Sequence, residues 1–224
     1  ALHLAATANN APLCHALLNA VSGVATGDAV DHMGRTPLHC AAELNALSAL
    51  TQLLADGCSP LVTDRHGDTP LHICARLGYG PCAARLASVA PNTLLLKNSS
   101  AYTPLHAAAC MGRAGVIAAL TASTASMPDG GIRVLLECQG GVGRYTALHC
   151  AVAGAHVAAV TELVRAGANV EAETASGYVV LCCVPVSGSL FMLTSSLLLI
   201  TRYTDTGRFI WLPVSDSQPS CAHC

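Results

Sequence analysis

Ten histidines are the side chains in this sequence best able to do chemistry, and five of them recur in one setting. They form the pairs Leu2-His3, Leu38-His39, Leu71-His72, Leu105-His106 and Leu148-His149. An imidazole can move a proton near neutral pH, ligate a metal, or hydrogen-bond through both ring nitrogens. Metal ligation would require further His, Cys or carboxylate donors at ligand spacing, and none accompanies these pairs. Proton transfer would require a reacting partner, yet the sequence has no Gly-rich phosphate loop, nucleophile elbow or paired acid/base constellation. The remaining use is structural: a histidine one position after a buried leucine hydrogen-bonds backbone near a turn. No enzymatic activity and no cofactor or metal are expected. Cys221-Ala222-His223-Cys224 has C-x-x-C spacing, but a structural zinc site takes four ligands and no second pair is present.

The elements that position these histidines follow from their spacing. The five stand 36, 33, 34 and 43 residues apart, and Leu17, Leu53, Leu86, Leu120 and Leu163 each follow one by 14 residues. The spacing is close to the roughly 33-residue period of ankyrin repeats, in which one supersecondary unit buries its apolar face only by stacking on its neighbours. In Asp64-Arg65-His66-Gly67-Asp68-Thr69-Pro70-Leu71-His72, Gly67 suits a tight turn, Thr69 can cap the helix that follows, and Pro70 fits its first position. Asp31 to His39 repeats this chemistry, as does Tyr102 to His106, with Ala101 in the glycine's place. Second helices are marked by the stripes Leu47, Leu50, Leu53, Leu54 and Val157, Val160, Leu163, Val164. Gly57 and Gly167 stand where a left-handed helix end is wanted. The expected fold is therefore all-α: an ankyrin-type solenoid of about five helix-turn-helix repeats with projecting β-turns. The repeats fall at about 1–30, 31–63, 64–97, 98–140 and 141–173, and the start of a sixth carries the repeat domain to 178.

Composition agrees. The 224 residues are 52% hydrophobic, 4% aromatic and 11% charged, which excludes a mainly disordered polymer and suits closely stacked short helices. A net charge of −2 gives no basic footprint for direct nucleic-acid binding. Cys40, Cys74, Cys110 and Cys150 recur at buried helix positions, so the 12 cysteines read as small apolar residues of a reducing compartment. The amino end shows no signal-peptide pattern, and Ala1-Leu2-His3 opens inside a repeat, which predicts a fragment of a longer protein.

Several departures from the ideal unit, in this order, resemble the inhibitor-of-NF-κB family over residues 1–178. Ala1-Leu2-His3-Leu4-Ala5 is similar to the start of that family's first repeat, and Gly57-Cys58-Ser59-Pro60 followed by Asp64 to Leu71 to its second junction. Ser88 to Lys97 resembles the irregular end of its third repeat, Thr146 to Val170 its fifth repeat, and Gly177-Tyr178 the opening of a sixth. The resemblance implies a non-enzymatic inhibitor that lays its turns and first-helix faces along a Rel-homology dimer and holds it in the cytoplasm. Shuttling to the nucleus or a nuclear coregulator role is the near variant, and a generic or membrane-tethered ankyrin adaptor the more distant one. The partner-binding residues it implies are Asp31, His32, Met33 and Arg35 in one turn, and Arg65, His66 and Asp68 in the next. Ser100, Tyr102, Arg144 and Tyr145 extend the row, with Glu43, Arg76 and Met111 on first helices.

The sequence also departs from that family. It carries neither an Asp-Ser-Gly degron ahead of the repeats nor an acidic tail after them. The stretch 123–135 lengthens the fourth unit and reads as a surface loop at Pro128-Asp129-Gly130-Gly131. Residues 179–224 form an irregular hydrophobic tail. Val179 and Val180 take the Thr-Pro places, Cys182 replaces the histidine, and Pro185 would break the first helix. No charge occurs from Thr174 to Thr201, so 179–200, and Leu190 to Ile200 most of all, is a membrane-span candidate. Pro185, Gly188 and the serines weaken that reading, leaving a spliced or retained-intron tail and a degenerate sixth repeat as alternatives.

Overall fold

The computed structural model describes residues 1–20, 27–124, 131–181, 199–203 and 209–212. Five helix pairs follow one another: α1 (Leu2–Thr7) with α2 (Ala11–Ala20), α3 (Pro37–Glu43) with α4 (Leu47–Ala55), α5 (Pro70–Leu77) with α6 (Gly80–Val89), α7 (Pro104–Cys110) with α8 (Ala114–Ser123), and α10 (Ala147–Ala153) with α11 (Val157–Arg165). First helices pack in one row, α1 on α3 on α5 on α7 on α10, and second helices in another, α2 on α4 on α6 on α8 on α11. The core lies between the rows and continues through every unit, with Leu38, Leu53, Leu71, Leu86, Leu105, Leu120, Leu148 and Leu163 fully buried. This is the expected solenoid of helices.

Local chemistry sets each pair. Thr36, Thr69, Thr103 and Thr146 cap α3, α5, α7 and α10, and proline opens the first three of those helices. Within each pair one residue turns left-handed: Asn9, Asn45, Gly78, Gly112 or Ala155. The chain then reverses through a backbone bond five residues back, such as Ala46 N–H to the Ala41 carbonyl at 2.8 Å. Gly57 and Gly167 take φ of +87° and +92°, as their places at second-helix ends require. The stripes hold except at their first members: Leu47 and Val157 are exposed.

Two stretches differ from the sequence reading. Gly131–Glu137 is a helix, α9, which buries Leu135 and Leu136, where a loop was expected as far as 135; Pro128 to Gly130 lie outside the described residues. Beyond the repeats, β1 (Tyr178–Leu181), β2 (Leu199–Tyr203) and β3 (Phe209–Leu212) pair antiparallel in the order β1-β2-β3. Tyr178 stands opposite Arg202 and Thr201 opposite Trp211. A strand thus occupies the place where a sixth first helix would begin. Among the described residues no helix is long and apolar enough to cross a membrane. Most of the Leu190–Ile200 candidate and the Cys221–Cys224 motif lie outside them.

Candidate protein-interaction surface

His39, His72 and His106 are engaged through both ring nitrogens inside the stack. His39 Nδ1 accepts the Thr36 N–H at 3.1 Å and lies 2.8 Å from the Thr36 hydroxyl. Its Nε2 lies 2.9 Å from the Asp68 carbonyl of the next unit. A carbonyl only accepts, so Nε2 carries the proton and the ring is neutral. His72 reaches the Tyr102 carbonyl at 3.0 Å and His106 the Tyr145 carbonyl at 2.9 Å in the same way. His3 begins the series, 2.8 Å from the Arg35 carbonyl. Burial lowers the pKa of His39 and His72 and pushes His106 down to about 4. The backbone hydrogen bonding expected of these histidines is present, and for His3, His39, His72 and His106 a bond crosses to the following unit.

Those carbonyls belong to the residues that close the turns. Asp31 Oδ1 accepts the N–H groups of Met33 and Arg35 at 2.8 and 2.9 Å; Asp64 does the same for His66 and Asp68, and Asn98 for Ser100 and Tyr102. Partial burial pushes the Asp31 carboxyl up. The two N–H groups and the Arg35 guanidinium outweigh it, leaving a pKa of about 2. Gly34, Gly67 and Ala101 take the left-handed position, at φ of +77°, +74° and +61°. The turns also bond to one another, Arg65 N–H to the Met33 carbonyl at 3.2 Å and Ser99 N–H to the His66 carbonyl at 3.0 Å. A Cβ on Gly67 would come within 2.7 Å of that Ser99 nitrogen, so this contact also needs glycine.

Charge is placed by register. Arg35 and Asp68 each precede a capping threonine, and Glu43 and Arg76 each stand four residues after the following histidine. The pairs are equivalent with their signs exchanged. Arg35 is saturated: it meets Asp31 Oδ2 at 2.9 Å and Glu43 Oε2 at 2.8 Å. Arg76 meets Asp68 at 3.6 Å. Asp68 is itself buried, and its Oδ1 accepts the Asn98 amide at 2.8 Å.

Between the second and third turns lies a hollow of about 380 Å³. It brings together Arg65, His66, Asp68, Arg76 and Ser100 from the expected row, and adds Asn98 and Ser99, which the sequence reading passed over. Their signal was available, because Asn98 holds the register of Asp31 and Asp64. Asp31, Arg35 and Glu43 form a second cluster on the preceding unit, beside exposed His32 and half-buried Met33. Met111, Arg144 and Tyr145 fall outside both clusters; exposed Arg144 bonds Gln139 at 2.7 Å. Tyr102 and Asp68 do not project as expected. Tyr102 is 9% exposed because its ring stacks on His106, with centroids 5.6 Å apart. Tyr145 is half-buried and tilts against His149.

Seven of the eight described cysteines are buried. Burial, then the nearby Asp28 and Asp56, raises Cys58 to about 11, so it is a poor nucleophile at neutral pH. Among the described residues no group of three or more His, Cys, Asp or Glu could hold a metal ion.

The comparisons agree with this geometry. The family model of ankyrin repeats (3 copies) matches residues 1–64 and 44–129, and the single ankyrin-repeat model matches 144–175. The chain belongs to the ankyrin-repeat family. This ankyrin stack is 36% identical to human B-cell lymphoma 3 protein over 111 residues, covering 48% of the chain and 24% of that protein. It is 30% identical to mouse NF-kappa-B inhibitor alpha over 122 residues, covering 52% and 39%. It thus spans well under half the length of these curated relatives. The crystal structure of the ankyrin repeat domain of Bcl-3, described as a unique member of the IkappaB protein family, superposes with a TM-score of 0.68 at 28% identity. That match covers 79% of this chain and 75% of the other. The ankyrin stack is a protein-interaction module similar to IκB family members.

Proposed function

We propose that this ankyrin stack binds a Rel-homology transcription-factor dimer; its likeness to a relative named as an inhibitor of NF-kappa-B supports the reading. The likeness to the Bcl-3 ankyrin domain along 79% of the chain carries the reading. The row of turns from Asp31 to Ser100, with Glu43 and Arg76 on the adjoining helices, is the docking surface. Binding draws on extended complementarity, with a few residues supplying most of the energy. The consequence is masking of the dimer and its retention in the cytoplasm, with passage to the nucleus as the alternative location of the same complex. Binding of the full chain to a purified Rel-homology dimer at physiological ionic strength tests the reading. Retention of the dimer on the immobilised chain is expected. A folded chain that captures none overturns it.

A further inference from the structure

The hollow between the second and third turns differs from the rest of the row in what its cations lack. Arg35, one unit earlier, has a carboxylate on each side at 2.8 to 2.9 Å. Among the described residues Arg76 has only Asp68 as an ion-pair partner, at 3.6 Å, and Asp68 also serves the Asn98 amide. Arg65 is exposed at the rim, and among the described residues its guanidinium has no carboxylate within ion-pair distance. The Ser99 side chain is exposed and that of Ser100 half-buried on the opposite wall, each with a hydroxyl donor. Positive charge and donors thus line a space of about 380 Å³, in which Asp68, its side chain 11% exposed, has both oxygens engaged by Arg76 and Asn98.

We propose that this hollow receives a glutamate or aspartate side chain of the protein partner, carried on a segment that crosses the turns between Arg65 and Arg76. The carboxylate gives Arg76 a second anionic partner beside Asp68, as Arg35 has two in Asp31 and Glu43. Arginine suits the task, since its planar fork binds a carboxylate through two parallel bonds. This specificity rests on the turn row being the partner surface, and it does not depend on which protein docks there.

Fluorescence anisotropy of the full chain with a labelled, end-blocked peptide of alternating glutamate and alanine tests it. Binding is expected for this peptide, at least about tenfold weaker for the glutamine version, and weaker still for the lysine version. The double substitution Arg65→Gln, Arg76→Gln should lower affinity for the glutamate peptide at least about tenfold. Arg165→Gln, on the last second helix, should change it less than about threefold, because that cation stands away from the turns. Equal affinity for the glutamate and glutamine peptides overturns the proposal, and so does a double variant, folded by circular dichroism, that binds like the parent. Capture of a Rel-homology dimer is scored separately. If the dimer binds and the acidic peptide does not, this inference fails alone; the reverse result removes only the assignment of the dimer.

Discussion

Up to Tyr102 the turns share one design, and beyond it they do not. The turns opened by Asp31, Asp64 and Asn98 each hold two N–H groups on one side-chain oxygen and bond tip to tip. The turn from Gly140 to Tyr145 is one residue longer, closes by reciprocal backbone bonds of 2.7 and 2.9 Å, and is tied to the preceding unit by Lys97 Nζ on the Gln139 carbonyl. The inner positions change as well. Arg35 with Glu43 and Asp68 with Arg76 give way to Tyr102 with Cys110, then Tyr145 with Ala153. Below the surface, His39, His72 and His106 make the same bridge throughout. A buried network that does not vary leaves the surface free to vary, and charge for recognition gathers in the units from Asp31 to Ser100.

The comparison is broken most severely by removing a bridge. His106→Ala strands the Thr103 N–H, leaves the Tyr145 carbonyl with only the Gly140 N–H and opens a cavity, at a cost of about 3–5 kcal/mol. His39→Ala should match it within about 1 kcal/mol in urea unfolding. A large gap between the two would show that the bridges are unequal.

Acid acts on the same groups. The buried histidines have folded pKa values below the ordinary 6.5, so the unfolded chain binds more protons as pH falls. Their stabilisation is whole above pH 6.5 and is lost progressively toward pH 4, where His106 titrates. His106 accounts for about 3 kcal/mol of this loss. Melting temperatures across that window measure it, and a flat profile would contradict the neutral, doubly bonded ring.

Gly140→Ala probes the changed junction. A Cβ there would meet the Ala101 carbonyl at 2.8 Å, the Tyr102 ring at 2.8 Å and His106 Nε2 at 3.1 Å. Destabilisation by about 2 kcal/mol is expected. The smallest effect has the opposite sign. Ala101 sits at φ +61° where Gly34 and Gly67 serve the sibling turns, so Ala101→Gly should stabilise by about 0.5–1 kcal/mol. Thermal unfolding resolves both.

The helix pairs, caps and turns were legible because each is local: Thr69, Pro70 and Gly67 state their roles within a few residues. The far ends of the bridges were not, since the His39 partner lies 29 residues on and depends on stacking. Helix α9 was hidden by the Pro-Asp-Gly-Gly run beside it, although Leu135 and Leu136 supply the apolar face that makes it pack. The burial of Tyr102 follows from the ring of His106, a neighbour only in the folded unit. The exchange of sign between Arg35/Glu43 and Asp68/Arg76 was present in the register, but one pair saturated and the other open is a matter of distances.

Hydrogen–deuterium exchange on the full chain, alone and with a purified Rel-homology dimer, tests most directly whether the turn row is the working surface. Protection is expected in the turns 31–35, 64–68 and 98–102 and in the first helices beside them, with the second-helix row unchanged. Protection confined to α2, α4, α6 and α8, or none at all, would contradict the account.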